Sequence, residues 1–333
     1  MDLALFLVCL VAVIAFIFDF TNGFHDAANA IATCVATRAL KPGVALIMAA
    51  IMNFIGALLG TGVAETIGSG IVSPPEDEAG LIVVLGGLIG AITWNLITWW
   101  FGLPSSSSHA LIGGLTGAGL AASTQIHWLV IGEKVVLPMF LSPIIGFLLA
   151  YILMKFVLYI FRNAQYKATM RGFRRAQIFS SAAIALGHGL QDAQKTMGVV
   201  VLALVAGGYH TGTGIPLWVK IGAALAISLG TLAGGKRIMK TLGHSITEVD
   251  SSRGFVAEMV GASVLYFTAF LYHAPVSTTH IITSAVMGVG ATRRKSAVRW
   301  GVTGNIVGGW FLTLPASAFI AMICYIILKA IIL

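Results

Sequence analysis

Charged residues are scarce along this chain, and their scarcity limits the folds that it can adopt. Only 10% of the 333 residues are charged and 58% are hydrophobic, whereas a soluble domain usually has about a quarter charged residues. So few charges cannot cover a surface that faces water, so most of the surface must face lipid. The sequence therefore predicts an all-α polytopic membrane protein and excludes a large soluble domain.

The sequence has ten apolar stretches, most of them near the roughly 20 residues that cross a bilayer as a helix. They are Leu3–Thr37, Gly43–Val63, Gly80–Phe101, Pro104–Ala122, Val135–Phe161, Gln177–Tyr209, Gly214–Ala233, Phe255–Tyr272, Pro275–Ala291 and Trp300–Ile332. The first stretch has no basic region before it and runs into a polar motif instead of a cleavage site, so we expect a retained helix.

Basic residues in the loops predict the orientation of these helices. The basic clusters are Arg38 and Lys41; Arg162, Lys167, Arg171, Arg174 and Arg175; Lys236, Arg237, Lys240 and Arg253; and Arg293, Arg294, Lys295 and Arg299. Each cluster follows an odd-numbered stretch, so all four lie on one side, which the positive-inside rule makes cytoplasmic. The basic excess therefore needs no nucleic-acid partner. We expect both termini on the outer side of the cell (inner) membrane.

A loose internal repeat relates the two halves of the chain. Gly23–Ala27 recurs as Gly189–Ala193, and Pro104–His109 recurs as Pro275–His280, with copies separated by about half the chain. Because each half has an odd number of segments, the second half must enter the membrane in the opposite orientation. We expect two inverted repeats of five segments each, at residues 1–161 and 177–333, joined by a basic cytoplasmic linker at residues 162–176.

Polar side chains interrupt the first and sixth stretches near their middles. A carboxylate at membrane depth is costly and by default indicates function. Gly23, Gly187 and Gly189 would allow each helix to break and expose carbonyl oxygens to a hard cation. A buried polar cluster that only joins helices is the alternative. The predicted cation-coupling residues are Asn22, Asp26, Asn29, Gln191, Asp192 and Gln194, with Asp26 and Asp192 as the Na⁺ ligands.

A proline, a run of hydroxyl residues and a histidine occur once in each half. Proline favours the first turn of a helix, and Ser or Thr favours its cap. A helix that begins inside the membrane directs free N–H groups and its positive dipole end at the site, which suits an anion. The predicted anion-binding residues are Ser105, Ser106, Ser107, Ser108, Ser277, Thr278 and Thr279. The alternative is that these are capped half-helices packed through Ser and Thr, and whether residues 104–122 and 275–291 cross or re-enter is open.

Five further residues are possible supporting groups: His25, His109, His280, Lys195 and Glu258. His109 and His280 are expected to be neutral packing residues, with a proton relay as the alternative. Lys195 can pair with Asp192, pair with the anion or neutralise its own helix. Glu258 is either a ligand for a coupling ion or a helix-end group.

Two carboxylates beside an anion site favour coupled transport. The anion can bind there only if cations lie between the charges, or if a carboxylate accepts a proton from the anion. Each ion then improves the binding of the other, which is the basis of symport. The rivals are an intramembrane hydrolase built on Ser108, His109 and Asp26, a passive anion channel, and a sulfate carrier. No cofactor is expected.

These motifs closely resemble the inorganic phosphate transporter (PiT) family, in its compact prokaryotic form. The similarity rests on Gly-Phe-His-Asp-Ala-Ala-Asn-Ala at 23–30, on His-Gly-Leu-Gln-Asp-Ala-Gln-Lys at 188–195 and on both hydroxyl runs, and it covers nearly the whole chain. It implies secondary transport of phosphate driven by Na⁺, with H⁺-coupled phosphate or metal-phosphate symport as the alternative. Many members have Asn just before the Asp, where this chain has His25 and Gln191, so the coupling ion stays open. A homodimer is also left open.

Overall fold

Helices form almost all of the structure, a computed structural model that describes residues 2–212 and 214–333. The side chains of Ser69, Lys236, Arg237, His244 and Lys295 lie outside the described part, and three of these are basic loop residues named above. The first-half helices are α1 (Leu3–Ala36), α2 (Pro42–Ala57), α3 (Gly62–Gly70), α4 (Glu78–Phe101), α5 (Ser107–Ala121), α6 (Trp128–Ile131) and α7 (Leu137–Ile160). The later helices are α8 (Tyr166–Ala206), α9 (Leu217–Ala233), α10 (Lys236–Lys240), α11 (Ser251–Phe267), α12 (Thr278–Ala291) and α13 (Trp300–Ile332).

Short irregular elements join these helices. π-Helical turns at Gly132–Val136, Thr241–Ser245 and Thr268–Tyr272 extend their neighbours, and a 3₁₀ turn covers Lys295–Ala297. Two strands of two residues each, β1 (Val72–Ser73) and β2 (Gln125–Ile126), pair antiparallel, with Val72 opposite Ile126. This pairing holds the loop after α3 against the loop after α5.

Five helical segments in the described part are long and apolar enough to cross a membrane. They are Leu3–Ala36, Glu78–Phe101, Trp128–Ile160, Ser251–Tyr272 and Trp300–Ile332. A sixth is formed if α2 and the adjoining Gly62–Gly68, which meet at an angle of 72°, count as one span. The chain is therefore a multi-pass membrane protein. The count of ten crossings stays a prediction, because α5, α9 and α12 have only 15, 17 and 14 residues.

The expected helix breaks at Gly23, Gly187 and Gly189 are wrong, since α1 and α8 are both continuous through these residues. A Cβ on Gly23 would lie 2.3 Å from the carbonyl oxygen of Ile227, and one on Gly189 would lie 2.2 Å from that of Asn53. These glycines therefore let α1 pack directly on α9, and α8 on α2, as small residues do in membrane helix pairs. No carbonyl group is freed within α1 or α8 at these positions.

We expect Gly189→Ala to destabilise the protein, because the added methyl group would collide with backbone, which cannot rotate away. Overpacking of this kind costs about 1–3 kcal/mol. Gly172→Ala, in an open position on the same helix, is the matched control. Thermal unfolding of both variants in detergent measures the difference, and equal melting temperatures would contradict the packing role of Gly189.

Helices from the two halves of the chain pack on each other reciprocally. The first helix of each half contacts the second of the other, since α1 packs on α9 and α8 packs on α2. Likewise α13 packs on α4 and α5, while α7 packs on α11 and α12. The halves therefore interlock. The expected linker at residues 162–176 is mostly helical, because α8 begins at Tyr166.

Asp250 precedes the membrane-spanning segment Ser251–Tyr272 and belongs to a cluster of charges at the start of α11. Asp250 caps this helix by accepting a hydrogen bond from the backbone N–H of Arg253 at 3.0 Å, and Ser252 Oγ donates to it at 2.7 Å. Burial acts to raise the pKa of Asp250, but the Ser252 hydroxyl and the charge of Arg253 outweigh it and lower the pKa below its usual value. Arg293, in the loop after α12, also donates to Asp250 at 3.2 Å, so the cluster holds two helix ends together.

Candidate functional site

Two helices begin in the protein interior, as the hydroxyl runs predict. Ser106 Oγ accepts a hydrogen bond from the N–H of His109 at the start of α5, and Ser277 Oγ accepts one from the N–H of His280 at the start of α12, both at 3.2 Å. The hydroxyl residues of both runs are buried: Ser105, Ser106, Ser107, Ser108, Ser277, Thr278 and Thr279. Because the N–H groups of a first turn have no partner within their own helix, each start directs donors and a positive dipole end into the interior.

Asp26 on α1 is hydrogen-bonded to both helix starts. Ser107 Oγ, in the first turn of α5, donates to Asp26 Oδ2 at 3.0 Å and to Asn22 Oδ1 at 2.7 Å. Thr279 Oγ1, in the first turn of α12, lies 3.5 Å from Asp26 Oδ1. Asn29 Nδ2 donates to the same Thr279 hydroxyl at 2.8 Å. Three predicted coupling residues on α1 therefore meet the two hydroxyl runs.

Asp192 on α8 is held by two basic side chains. The ammonium group of Lys195 donates to Asp192 Oδ1 and to Ser108 Oγ, and it lies 3.3 Å from the carbonyl oxygen of Val276. His188 Nε2 lies 3.0 Å from Asp192 Oδ2, one helical turn away. Lys195 is only 1% exposed. Its charge is therefore balanced within the protein, by Asp192.

Asp26, His188 and Asp192 together form the candidate cation centre. One potential ligand atom from each lies within 4.8 Å of the others, and all three residues are buried. Two oxygen ligands on opposite sides of a hard cation would be about 4.6–5.2 Å apart, for bonds of about 2.3–2.6 Å. The donor set and its spacing therefore fit a small cation. His188 is in the polar patch of the sixth stretch but is not among the predicted ligands; its position four residues before Asp192, on the same helix face, is the signal.

The hydrogen bonds of Gln191 and Gln194 lead away from the Asp192 carboxylate. Gln191 Nε2 donates to Thr268 Oγ1 at 2.9 Å, next to α11. Gln194 Oε1 accepts from the N–H of Val63 at 2.8 Å, at the start of α3. The structure thus places these two predicted coupling residues at helix contacts.

His25 links Asp26 to a second group of hydroxyls. Its Nδ1 lies 2.6 Å from Asp26 Oδ1, and its Nε2 lies 3.1 Å from Thr98 Oγ1 on α4. Ser105 Oγ donates to the same Thr98 hydroxyl at 2.8 Å. Thr98 was missed by sequence reasoning, because nothing in the α4 sequence distinguishes it from other threonines in apolar helices.

Glu258 on α11 belongs to a separate polar cluster. Thr33 Oγ1 and Gln177 Nε2 donate to its Oε1 at 2.5 and 3.1 Å, and Ser180 Oγ donates to its Oε2. Thr33 is seven residues after Asp26 on α1, about 10 Å along the helix. Glu258 therefore joins α1, α8 and α11 at a distance from the paired aspartates.

His109 and His280 meet each other in the interior. Their ring centroids are 4.8 Å apart, and the His280 ring stacks on Trp310 of α13 at 4.0 Å. Trp310 Nε1 in turn donates to the carbonyl oxygen of Pro104 at 3.0 Å, just before α5. Both histidines therefore pack against other rings in the interior, and their role stays a prediction. Asp19 on α1 belongs to the polar patch of the first stretch but is not among the predicted coupling residues. Its buried carboxylate lies near the charges of Asp192 and Lys195.

A sequence model described as "Phosphate transporter family" matches residues 22–321. The chain belongs to this family. The match includes both polar patches from Asn22 onward and both hydroxyl runs. The resemblance seen in the motifs is thereby confirmed, and the protein is a phosphate transporter of the PiT family.

Curated relatives agree with this assignment over 95% or more of their own lengths. A protein of Bacillus subtilis (strain 168), "Probable low-affinity inorganic phosphate transporter", is 46% identical and covers 99% of this chain and 100% of its own. A protein of Rhizobium meliloti (strain 1021) with the same description is 49% identical over 96% of this chain and 95% of its own. A solved structure, "The sodium-dependent phosphate transporter", has a TM-score of 0.89 at 28% identity and covers 98% of this chain and 99% of its own.

The contacts of this phosphate transporter do not form a hydrolytic triad. Ser108 Oγ binds Lys195 and the carbonyl of Val276, while Asp26 pairs with His25 and the His109 ring packs on His280. A triad needs a nucleophile bonded to a base that a third group orients. Both the family assignment and these contacts argue against an intramembrane hydrolase.

Proposed function

We propose that this phosphate transporter is a cation-coupled symporter that uses Na⁺ in preference to H⁺. The observation that supports it is the approach of Asp26 and Asp192, whose ligand atoms lie within 4.8 Å of each other and of His188 beside two buried helix starts. Two close, buried carboxylates repel each other and exclude an anion unless positive charge is added. A mobile cation supplies that charge, so phosphate and cation each increase the affinity for the other.

Phosphate is proposed to bind between the first turns of α5 and α12. Ser107 and Thr279 project from those turns to Asp26, and Ser108 projects to Lys195. Hydroxyls and helix N-termini bind phosphate without arginine. The ammonium of Lys195 adds a positive charge on the Ser108 side.

The chain is further proposed to consist of two inverted repeats, at residues 1–161 and 177–333. Residues related by such a repeat can touch only if they lie close to the pseudo-twofold axis. His109 and His280 end the two hydroxyl-run motifs, and their rings are 4.8 Å apart. Asp26 and Asp192, which correspond in the two polar patches, also approach each other. The reciprocal helix packing supports the same symmetry. By the positive-inside rule, we further propose that the basic loops lie in the cytoplasm and that both termini lie outside the cell.

H⁺ coupling, of phosphate or of a metal-phosphate complex, is the second candidate. It is favoured by the histidines that touch each carboxylate, His25 Nδ1 at 2.6 Å from Asp26 and His188 Nε2 at 3.0 Å from Asp192. Na⁺ is preferred because the carboxylate of Asp26, the hydroxyls of Ser107 and Thr279 and the side-chain amide oxygen of Asn22 suit a hard cation. The relative described as sodium-dependent is consistent with this choice.

Uptake of labelled phosphate into proteoliposomes, with Na⁺ and pH gradients imposed separately, tests the proposal. We expect an inward Na⁺ gradient to accumulate phosphate above its external concentration, and a pH gradient alone to give little accumulation. Accumulation driven by pH alone would favour the H⁺ candidate. Equilibration that neither gradient alters would refute coupling and leave a passive carrier. Excess sulfate should compete weakly, because fully ionised sulfate has no proton to share with the site.

A further inference from the structure

The two halves of the centre differ at one position, and we propose that this difference fixes how many cations accompany each phosphate. The ammonium group of Lys195 occupies the cation position of the second half permanently, so that only the Asp26 half takes up a mobile cation. The inference rests on the proposed symport and adds its stoichiometry.

The internal repeat identifies which residues correspond. When the two polar patches are aligned on Asp26 and Asp192, Asn29 corresponds to Lys195. When the two hydroxyl runs are aligned on their prolines, Ser108 corresponds to Thr279, and Ser105 to Val276. A neutral amide in the first half is thus replaced by a cation in the second.

The contacts of the corresponding side chains match. Lys195 binds Asp192 and Ser108, and its Nζ lies 3.3 Å from the carbonyl oxygen of Val276. Asn29 Nδ2 donates to Thr279 Oγ1 at 2.8 Å, and that hydroxyl lies 3.5 Å from Asp26 Oδ1. Each half therefore brings together an aspartate of its own long helix and a hydroxyl from the helix start of the other half.

The environment of the ammonium group is that of a bound cation. Its three oxygen partners are a carboxylate, a hydroxyl and a backbone carbonyl, which equal the three donors of an ammonium group in number. Hard monovalent and divalent cations bind the same oxygen types. Because Lys195 is covalently attached, its charge neutralises Asp192 in every state of the cycle and cannot be carried across.

Asp26 has no such tethered partner among the described lysines and arginines. Asn29 is neutral, and the His25 ring beside Asp26 carries a charge only when it is protonated. With His25 neutral, the Asp26 carboxylate is left to be balanced by a mobile cation when phosphate binds. The buried Asp19 has Ala185 as its counterpart and lies outside this comparison. One mobile cation at the aspartate pair, instead of two, is the stoichiometric consequence.

Lys195→Asn recreates the first-half residue in the second half and tests the inference. We expect the Na⁺-to-phosphate ratio, measured from ²²Na⁺ and ³²P-phosphate uptake into the same proteoliposomes, to rise by about one, with a steeper dependence on Na⁺. Asn29→Lys should lower the ratio by about one. Lys167→Asn, an exposed position on the same helix, should leave the ratio unchanged. An unchanged ratio in an active Lys195→Asn variant would overturn the inference.

A binding measurement keeps the test decisive if Lys195→Asn does not transport. The rise of the melting temperature with Na⁺ in detergent reports Na⁺ binding directly. It should steepen in Lys195→Asn relative to wild type, and an unchanged dependence would refute the inference. Failure of symport itself has a different signature, because then wild-type uptake is insensitive to both gradients, whatever the variant does.

Discussion

Asp26→Asn and Asp192→Asn are each expected to abolish cation-driven accumulation of phosphate while leaving the protein inserted in the membrane. The amide keeps the size of the carboxylate but removes its negative charge. At Asp26 this is the charge that the mobile cation balances, and at Asp192 it is the charge that offsets the Lys195 ammonium beside the cation site. At an effective dielectric constant of about 20, unit charges about 4 Å apart attract each other by about 4 kcal/mol, and a directly bound cation lies closer than that. Such a loss corresponds to several hundredfold or more in cation affinity, by the conversion of about 1.4 kcal/mol per tenfold.

The two substitutions differ in the charges that remain buried in the site. Asp192→Asn also deprives the buried Lys195 ammonium of its carboxylate partner, and an unpaired buried charge is strongly destabilising. We therefore expect Asp192→Asn to lower the melting temperature more than Asp26→Asn does. Glu76→Gln, in the exposed loop before α4, is the charge-matched control. Wild-type accumulation in both aspartate variants, at equal protein per vesicle, would refute the role given to the pair.

The sequence was sufficient to predict where α5 and α12 begin, but not that α1 and α8 continue through their glycines. The hydroxyl runs have strong local cap chemistry, and α5 and α12 begin at Ser107 and Thr278 as that chemistry predicts. Gly23 and Gly189, by contrast, are compatible with either a helix break or a close helix contact. The outcome depends on backbone atoms of Ile227 and Asn53, which lie far along the chain. Local pattern cannot identify such partners.

In the site, too, local sequence predicted some residues, whereas others depended on which helix face they occupy. Asp26 and Asp192 could be predicted because buried carboxylates are costly, and the structure brings them together. Gln191 and Gln194 are equally polar neighbours in sequence, yet their amides face α11 and α3. Successive helix positions point about 100° apart, so a polar cluster in sequence spreads over several helix faces. The sequence also left open whether Lys195 pairs with Asp192, with the anion or only neutralises its own helix. Its contacts with Asp192, Ser108 and Val276 became known only from the structure.

Thr278→Val is expected to weaken phosphate binding without destabilising the protein. Thr278 is buried in the first turn of α12, and its hydroxyl has no hydrogen-bond partner among the described residues. Replacing an unpaired buried hydroxyl by a methyl group of similar size is nearly neutral or stabilising. If that hydroxyl instead donates to phosphate, its loss removes a hydrogen bond to a charged group, worth about 1.5–3 kcal/mol. The KM for phosphate should then rise by about tenfold or more.

Thr283→Val is the matched control for this prediction. Thr283 is on the same helix, fully buried, and its hydroxyl also has no partner within the described residues, but it lies five residues further from the helix start, about 7–8 Å along the axis. Both variants should keep or raise the melting temperature, whereas only Thr278→Val should raise the KM. Equal KM values in the two variants would mean that the first turn of α12 does not bind phosphate through this hydroxyl. A rise in both would mean that the anion site extends along α12 beyond its N-terminal turn.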